Sequence, residues 1–437
     1  MVTRAVKEFS DFPLRVTLLL TAAQAMSHFH RTLLSLLAEP IRLEFGVRDS
    51  LIGLLIGPAF SVSYVIAALP LAMAADRSDR FRLLSACVAI WSFLTSLSAF
   101  TAGIIGLLLC RIGSAAAMSG VTPTAGSTIA NLFPPKRLTS PMSVYSSGVH
   151  VGVGLATILG ALASRIFDPF ALFEVGFLGQ MSGWKITFLL AGIPGLVLAV
   201  AFGGFRDQFR PRPLASDMDK PASVFKHLLG RPRVFVAVIL GLSLLIFVSN
   251  AIGAWLPTFF YRKYGWGPGE IGVWFGLLNI SAALLGVTLG GPLVGLARRV
   301  GRFDPQFLVL MIAAVLALPI SILIPLVQSP TSCLALFFIR SMFGVLFIAV
   351  GYTLLLRMSP DAFRSRTVAV AGISLNIIGG GLGPLAVALT TDHIFMDPQS
   401  LPSSISVVSA IGSVLAIMAL AAFRKCEAKA KHSETCR

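Results

Sequence analysis

Three arginines lie inside long apolar runs of this chain: Arg31, Arg111 and Arg340. A guanidinium group in such a setting costs a few kcal/mol or more unless it is hydrated or paired. Its planar fork takes a carboxylate or phosphate through two parallel hydrogen bonds. The residues around the first two are polar at helical spacing. Thr21, Gln24, Ser27, His28, Arg31 and Ser35 fall on one stripe at 100° per residue, with His30 well off it. Arg111, Ser114, Met118 and Thr122 line one face of a second run, and Ser143, Ser147, His150 and Gly154 one face of a third. All 19 acidic residues fall in loops, tails or helix ends, so no carboxylate is placed to neutralise the arginines. That imbalance makes the face attractive to an anion. The competing role, in which each guanidinium bonds helix carbonyls and braces the bundle, weighs most for Arg340, which stands alone. A free imidazole titrates near neutral pH, so His28, His30 and His150 are candidates to carry protons, or else satisfied polar contacts. Asn250 and Asn376 complete the candidate ligand-binding set from the second half of the chain.

Long apolar helices are needed to hold such residues, and the composition supplies them. Of 437 residues 56% are hydrophobic and 12% charged, and the mean hydropathy is +0.85. These values exclude an ordinary soluble domain. The net charge of +16 does not point to nucleic acid, because the basic residues punctuate apolar runs instead of clustering. Five cysteines show no C-x-x-C spacing and no paired loop positions, so neither metal site, cofactor nor disulfide framework is expected. No small-residue cleavage site follows the first apolar run, so no cleavable signal is expected.

Twelve apolar spans of about 20 residues each follow one another. In the first half they are 14–37, 51–75, 83–101, 103–133, 139–166 and 185–205. In the second they are 234–256, 271–297, 307–327, 331–358, 367–391 and 403–423. The expected layout is therefore a six-helix bundle at 1–205, a polar linker at 206–233, a second six-helix bundle at 234–423 and a tail at 424–437. The segment 167–184 reads as an external loop carrying a short interfacial helix. With the N-terminus inside, 26 of 35 basic residues fall on the inner side and six outside (Arg42, Arg48, Arg165, Lys185, Arg262, Lys263). Both termini are thus expected in the cytoplasm. At 1.5 Å per residue, Arg31 then lies about 25 Å from the inner end of its helix and Arg111 about 12 Å from the outer end of its own, at comparable depth.

The two halves repeat one another. The basic loop ADRSDRFR (75–82) returns as ARRVGR (297–302), Arg111 as Arg340, and GVHVGVG (148–154) as NIIGGGLG (376–383), at offsets of about 222, 229 and 227. Gly-rich runs fit close backbone approach between the halves.

The loop 75–82 resembles the loop between the second and third helices of the major facilitator superfamily, whose pattern is G-x-x-x-D-R-x-G-R-R. Asp76, Arg77 and Arg80 match it; Ala72, Asp79 and Phe81 depart from it. The strings WLPTFFYRKYGWGPGEIG (255–272), GWKITFLLAGIPGLVLA (183–199) and RTVAVAGISLNIIGGGLGP (366–384) look like those of Spinster-like transporters, over about residues 29–392. The resemblance implies an all-α membrane protein of twelve transmembrane helices in two pseudo-symmetric six-helix bundles. It also implies a carrier that moves an amphiphilic or anionic small molecule by alternating access, since Spinster-like proteins are associated with lysolipids and sphingosine-1-phosphate, often with proton coupling. It gives Asp76, Arg77 and Arg80 the part of a cytoplasmic ion-pair latch. Where that family has an Asp before the helix-1 Arg and a Glu in helix 4, this chain has His30 and Met118, which puts carboxylate-based coupling in doubt.

The expected protein is a multi-pass carrier of a bacterial-type plasma membrane, monomeric, in contact with membrane lipids and a small-molecule substrate. Exchange or facilitated transport is one reading of its energetics. The alternative is a proton-coupled multidrug or organic-anion carrier that uses histidine. An enzyme lacks a catalytic set, and a channel lacks a filter motif.

Overall fold

The computed structural model describes residues 2–134, 138–205, 232–301, 304–359 and 364–435. The linker expected at 206–233 lies almost wholly outside them, as do Arg302 and the side chain of Asp76. The helices are α1 (Val2–Leu36), α2 (Ala38–Phe45), α3 (Asp49–Ile56), α4 (Pro58–Arg77), α5 (Arg80–Leu97), α6 (Ile104–Met118), α7 (Val121–Leu132), α8 (Thr139–Ile166) and α9 (Gly183–Gly203). They continue as α10 (Pro232–Tyr264), α11 (Pro268–Val300), α12 (Pro305–Leu323), α13 (Pro330–Met358), α14 (Arg364–Ser374), α15 (Gly383–Leu389) and α16 (Leu401–Thr435). Among the described residues, eleven helical stretches are long and apolar enough to cross a membrane, some made of two jointed helices. The long helix α1 is the twelfth, its apolar character diluted by Gln24, Ser27, His28, His30 and Arg31. The molecule is an all-α membrane protein.

The joints have local causes. Gly57 and Pro58 separate α3 from α4, as a proline does by removing a donor and crowding the preceding turn. Ser119 and Gly120 separate α6 from α7. Between α14 and α15 the chain widens into π-helical turns over Leu375–Leu382, and again over Thr390–Phe395. Helix starts show the repeat once more. Asp79 caps α5 by accepting from Phe81 N and Arg82 N at 2.9 and 3.1 Å. Asp304 caps α12 by accepting from Gln306 N and Phe307 N at 3.0 and 3.2 Å. Each satisfies donors that the first helical turn leaves open. The departure of Asp79 from the superfamily loop pattern therefore has a structural use.

Two helices run past their expected ends. Helix α10 continues through Pro257 to Tyr264, where Lys263 Nζ donates to Pro325 O and Val327 O at 2.8 Å. Helix α16 continues without a break to Thr435. Of the short interfacial helix expected within 167–184, a single 3-10 turn forms, Gly176–Leu178, at the tip of a hairpin. Leu172–Glu174 (β1) and Gln180–Ser182 (β2) pair antiparallel, Phe173 opposite Met181. The 3-10 turn between them starts at Gly176, φ 45°, and ends at Gly179, φ 75°, left-handed backbone that glycine adopts without strain.

Residue packing separates the described parts of the chain into two units. One draws on Met1–Val47, Ala59–Pro213 and Gly265–Ile280; the other on Arg48–Pro58, Leu214–Tyr264 and Ser281–Arg437. Trp91, Phe81, Phe202 and Leu20 are buried in the core of the first, and Phe307, Phe347, Leu310 and Phe423 in the core of the second. In the first unit α8 lies against α1 so closely that a Cβ on Gly152 would sit 2.1 Å from Ala25 O. The equivalent run of the second unit, Gly379 and Gly383, lies against residues 243–251 of α10. Contacts between sequence halves also occur inside each unit. Gly154 packs on Ile280 in the first, and a Cβ on Gly57 would meet Gly381 O at 2.1 Å in the second.

Candidate functional site

The glycine seam between α8 and α1 brings Tyr145 onto the polar stripe of α1, where its hydroxyl donates to Gln24 Oε1 at 2.8 Å. Gln24 Nε2 reaches one turn forward to His28 Nε2 at a long 3.5 Å. Gln24 and Ser27 are buried, His28 and Arg31 half-buried. One turn further along, two stripes converge on a residue of α4. The Arg31 guanidinium carbon lies 4.5 Å and that of Arg111 4.7 Å from the centre of the Phe60 ring. The two cations are thus within about 9 Å of each other, close enough to repel in an apolar setting. Arg111 Nη2 also donates to Arg31 O at 3.3 Å, so part of its binding capacity does brace α6 against α1. Phe60 stacks on Tyr64 at 5.8 Å and 24°, and the Tyr64 hydroxyl shares a 3.3 Å hydrogen bond with Thr122 Oγ1.

His30, off the stripe, points the other way. Its Nε2 donates to Ala191 O of α9 at 2.8 Å, which leaves Nδ1 as a buried acceptor with no partner. A small cavity of about 10 Å³, room for roughly one water, adjoins it, lined by His30, Thr95, Ser98, Arg111 and Ser114 among others. Thr95, Ser98 and Ser114 all donate their hydroxyl protons to helix carbonyls, so they offer lone pairs to that space.

The remaining expected residues are placed as follows. Met118 is buried in the apolar core of the first unit. His150 is half-buried on α8. Asn250, Arg340 and Asn376 belong to the second unit. Asn250 Nδ2 donates to Ile246 O at 3.0 Å and Asn376 Nδ2 to Gly372 O at 2.9 Å, each within its own helix. Arg340 Nε donates to Ser321 Oγ at 2.7 Å, with the guanidinium 5.5 Å over Phe347. Of the loop charges, Arg77 is exposed and Arg80 buried. Phe60 and Tyr145 carry the geometry yet escape sequence reasoning. A phenylalanine in an apolar span gives no signal beyond its four-residue spacing to Tyr64.

The four carboxylate pairs that are seen, Glu39–Arg42, Glu44–Lys185, Asp49–Arg262 and Asp304–Arg357, leave Arg31 to the ring. Among the described residues no group of three or more His, Cys, Asp or Glu is gathered to hold a metal. What the first unit offers instead is a pair of cations, an aromatic ring and a row of hydroxyl and amide groups. That is a constellation for binding an anion with an apolar portion.

Residues 20–384 match the family model described as Major Facilitator Superfamily. An MFS-type efflux pump of Mycolicibacterium smegmatis is 25% identical over 411 residues, covering 92% of this chain and 91% of the relative. A sphingosine-1-phosphate transporter of Danio rerio is 24% identical over 415 residues, covering 87% and 77%. The crystal structure of a bacterial homologue of the human lysosomal transporter Spinster, in an inward-facing and unoccupied conformation, superposes with a TM-score of 0.76 at 24% identity. It covers 95% of this chain and 98% of that one.

Proposed function

The chain belongs to the Major Facilitator Superfamily and is a membrane transporter, not an enzyme, and from that premise we propose that it moves an anionic, partly apolar small molecule by alternating access. The substrate class is an organic acid or a lysolipid-like amphiphile. The observation that carries the reading is the convergence of Arg31 and Arg111 on Phe60, beside the Gln24–Tyr145 and Tyr64–Thr122 hydrogen bonds. A guanidinium pair recognises a carboxylate or phosphate, and the ring and core residues receive an apolar body. The zebrafish relative is named for sphingosine-1-phosphate, an amphiphile bearing a phosphate, which fits that chemistry.

In this reading the protein is a monomer in a bacterial-type plasma membrane with both termini in the cytoplasm. Residues 1–205 and 234–423 are its two bundles, and Asp76, Arg77 and Arg80 are the latch on the inner side. Transport is by exchange or facilitated movement. A second energetic reading, proton coupling through histidine, draws on His30, whose Nδ1 faces no partner beside the polar cavity.

Binding of decyl phosphate to purified protein tests the substrate class. Arg31→Gln and Arg111→Gln should each weaken it about ten-fold, as loss of a charge-assisted hydrogen bond does. Lysine at either position should restore part of the loss, because the charge returns without the fork. Equal affinity in all variants would mean that both arginines only brace the bundle.

A further inference from the structure

Two guanidinium groups over one aromatic ring raise the question of what the ring does for them. Phe60 is 2% exposed, in the first turn of α4 just past the Gly57–Pro58 joint, and its orientation is held by stacking on Tyr64. Both cation–ring distances, 4.5 and 4.7 Å, are well inside the range in which a ring quadrupole attracts a cation. That attraction grows where water is excluded.

We propose that Phe60 is the shared counter-group of Arg31 and Arg111 in the ligand-free protein, and that the two arginines leave its ring when an anionic group binds. The inference rests on the anion-binding reading of this site and deepens it. Phe60 is then a positioning residue that acts through the arginines. A ligand must draw the cations off the ring before it gains its own hydrogen bonds. A full negative charge compensates for that loss, because charge-assisted bonds to a guanidinium are stronger than a cation–ring contact. A neutral hydroxyl compensates poorly. The ring thereby sets a threshold in favour of carboxylates and phosphates, and it keeps two like charges together while the site is empty.

Two measurements test this. The first needs no ligand. Melting temperatures are taken in neutral detergent for wild type, Phe60→Leu, Arg31→Gln/Arg111→Gln and the triple variant. Phe60→Leu keeps the apolar bulk and removes the quadrupole; Phe60→Met replaces it if the leucine variant is not monodisperse. The loss caused by Phe60→Leu should fall to less than half in the Arg→Gln background. Equal losses in both backgrounds would show that Phe60 merely packs, and would overturn the proposal.

The second is affinity for decyl phosphate, with 1-decanol as the neutral probe. Removing the competing ring should tighten decyl phosphate binding by about ten-fold in Phe60→Leu. Unchanged or weaker binding there, with the arginine variants still defective, overturns the release step alone. Failure of wild type to bind decyl phosphate better than decanol counts against the anion-carrier reading, while the melting-temperature cycle still decides the role of the ring.

Discussion

Asp49 and Arg262 meet in a bidentate ion pair, Arg262 Nη2 donating to Oδ1 and Nη1 to Oδ2, both at 2.7 Å. Their side chains are 1% and 4% exposed, so the pair is shut away from bulk solvent. The pair joins the first turn of α3 to the last turn of α10, and Arg262 Nη1 also donates to Pro398 O at 2.9 Å. Next to it, Ser50 N donates to Asp392 Oδ2 at 2.6 Å.

Removing one partner should therefore cost far more than removing both. Asp49→Asn leaves a buried cation uncompensated and should destabilise the protein by about 3–5 kcal/mol. The double variant Asp49→Leu/Arg262→Met should lose much less. Unfolding of the purified variants in detergent reads the difference; a double variant no better than the single would count against the pair as the source of the loss.

Gly152 gives a steric prediction. A valine there must displace Ala25 O, a backbone atom that a rotamer change cannot move. Gly152→Val should cost about 1–3 kcal/mol or more and reduce the yield of monodisperse protein. Gly126→Ala, in a helix with open space at its Cβ, is the matched control and should be neutral or slightly stabilising.

The helix cap at Asp79 is testable in the same way. Asp79→Ala loses two backbone hydrogen bonds and should cost about 1 kcal/mol, whereas Asp79→Ser should keep most of the stability. Glycine, the residue of the superfamily pattern, should fall between them. Melting temperatures in which alanine equals serine would refute the cap.

The pH dependence should show at Glu44. Partial burial alone would raise its pKa, but hydrogen bonds from Lys185 and Trp184 and the charge of Lys185 hold it below the usual carboxylate range. A depressed folded-state pKa stabilises the protein above the unfolded value, and that contribution is lost as pH falls through the folded value. Wild type should exceed Glu44→Gln by at most about 1 kcal/mol at pH 7, since the pair is partly exposed. The gap should close below the ordinary glutamate value of 4.5. A gap that persists in acid would show that packing, and not charge, explains it.

Much of this was written in periodicity and charge. The stripe on α1 and the arginine of α6 have to face away from lipid, and they do converge. The off-stripe position of His30 predicts a different neighbour, and Ala191 O is that neighbour. What periodicity cannot carry is the partner of an apolar residue. Phe60 is one phenylalanine of 32, and only the packing of α4 on two other helices makes it a contact for cations. Charge counting likewise places Arg262 in an external loop, because it cannot foresee that α10 runs through Pro257 and carries the side chain into a buried pair. The hairpin at 172–182 turned on two glycines whose φ no hydropathy pattern encodes, and the π turns leave no mark on a sequence at all.

The contact of Gly57 with Gly381 carries a consequence for how the protein is made. Residue 57 leaves the ribosome 324 residues before its neighbour. At a synthesis rate of about 5–20 residues per second, the bare face of α3 waits roughly 16–65 s for the segment that covers it. Asp49 waits through the first part of that interval for Arg262. The nascent first half therefore enters the membrane with a glycine face not yet covered and with Asp49 still lacking the Arg262 fork. A ribosome stalled after residue 300 would leave the glycine face uncovered, and quality-control proteases would have a feature by which to tell that chain from a finished one.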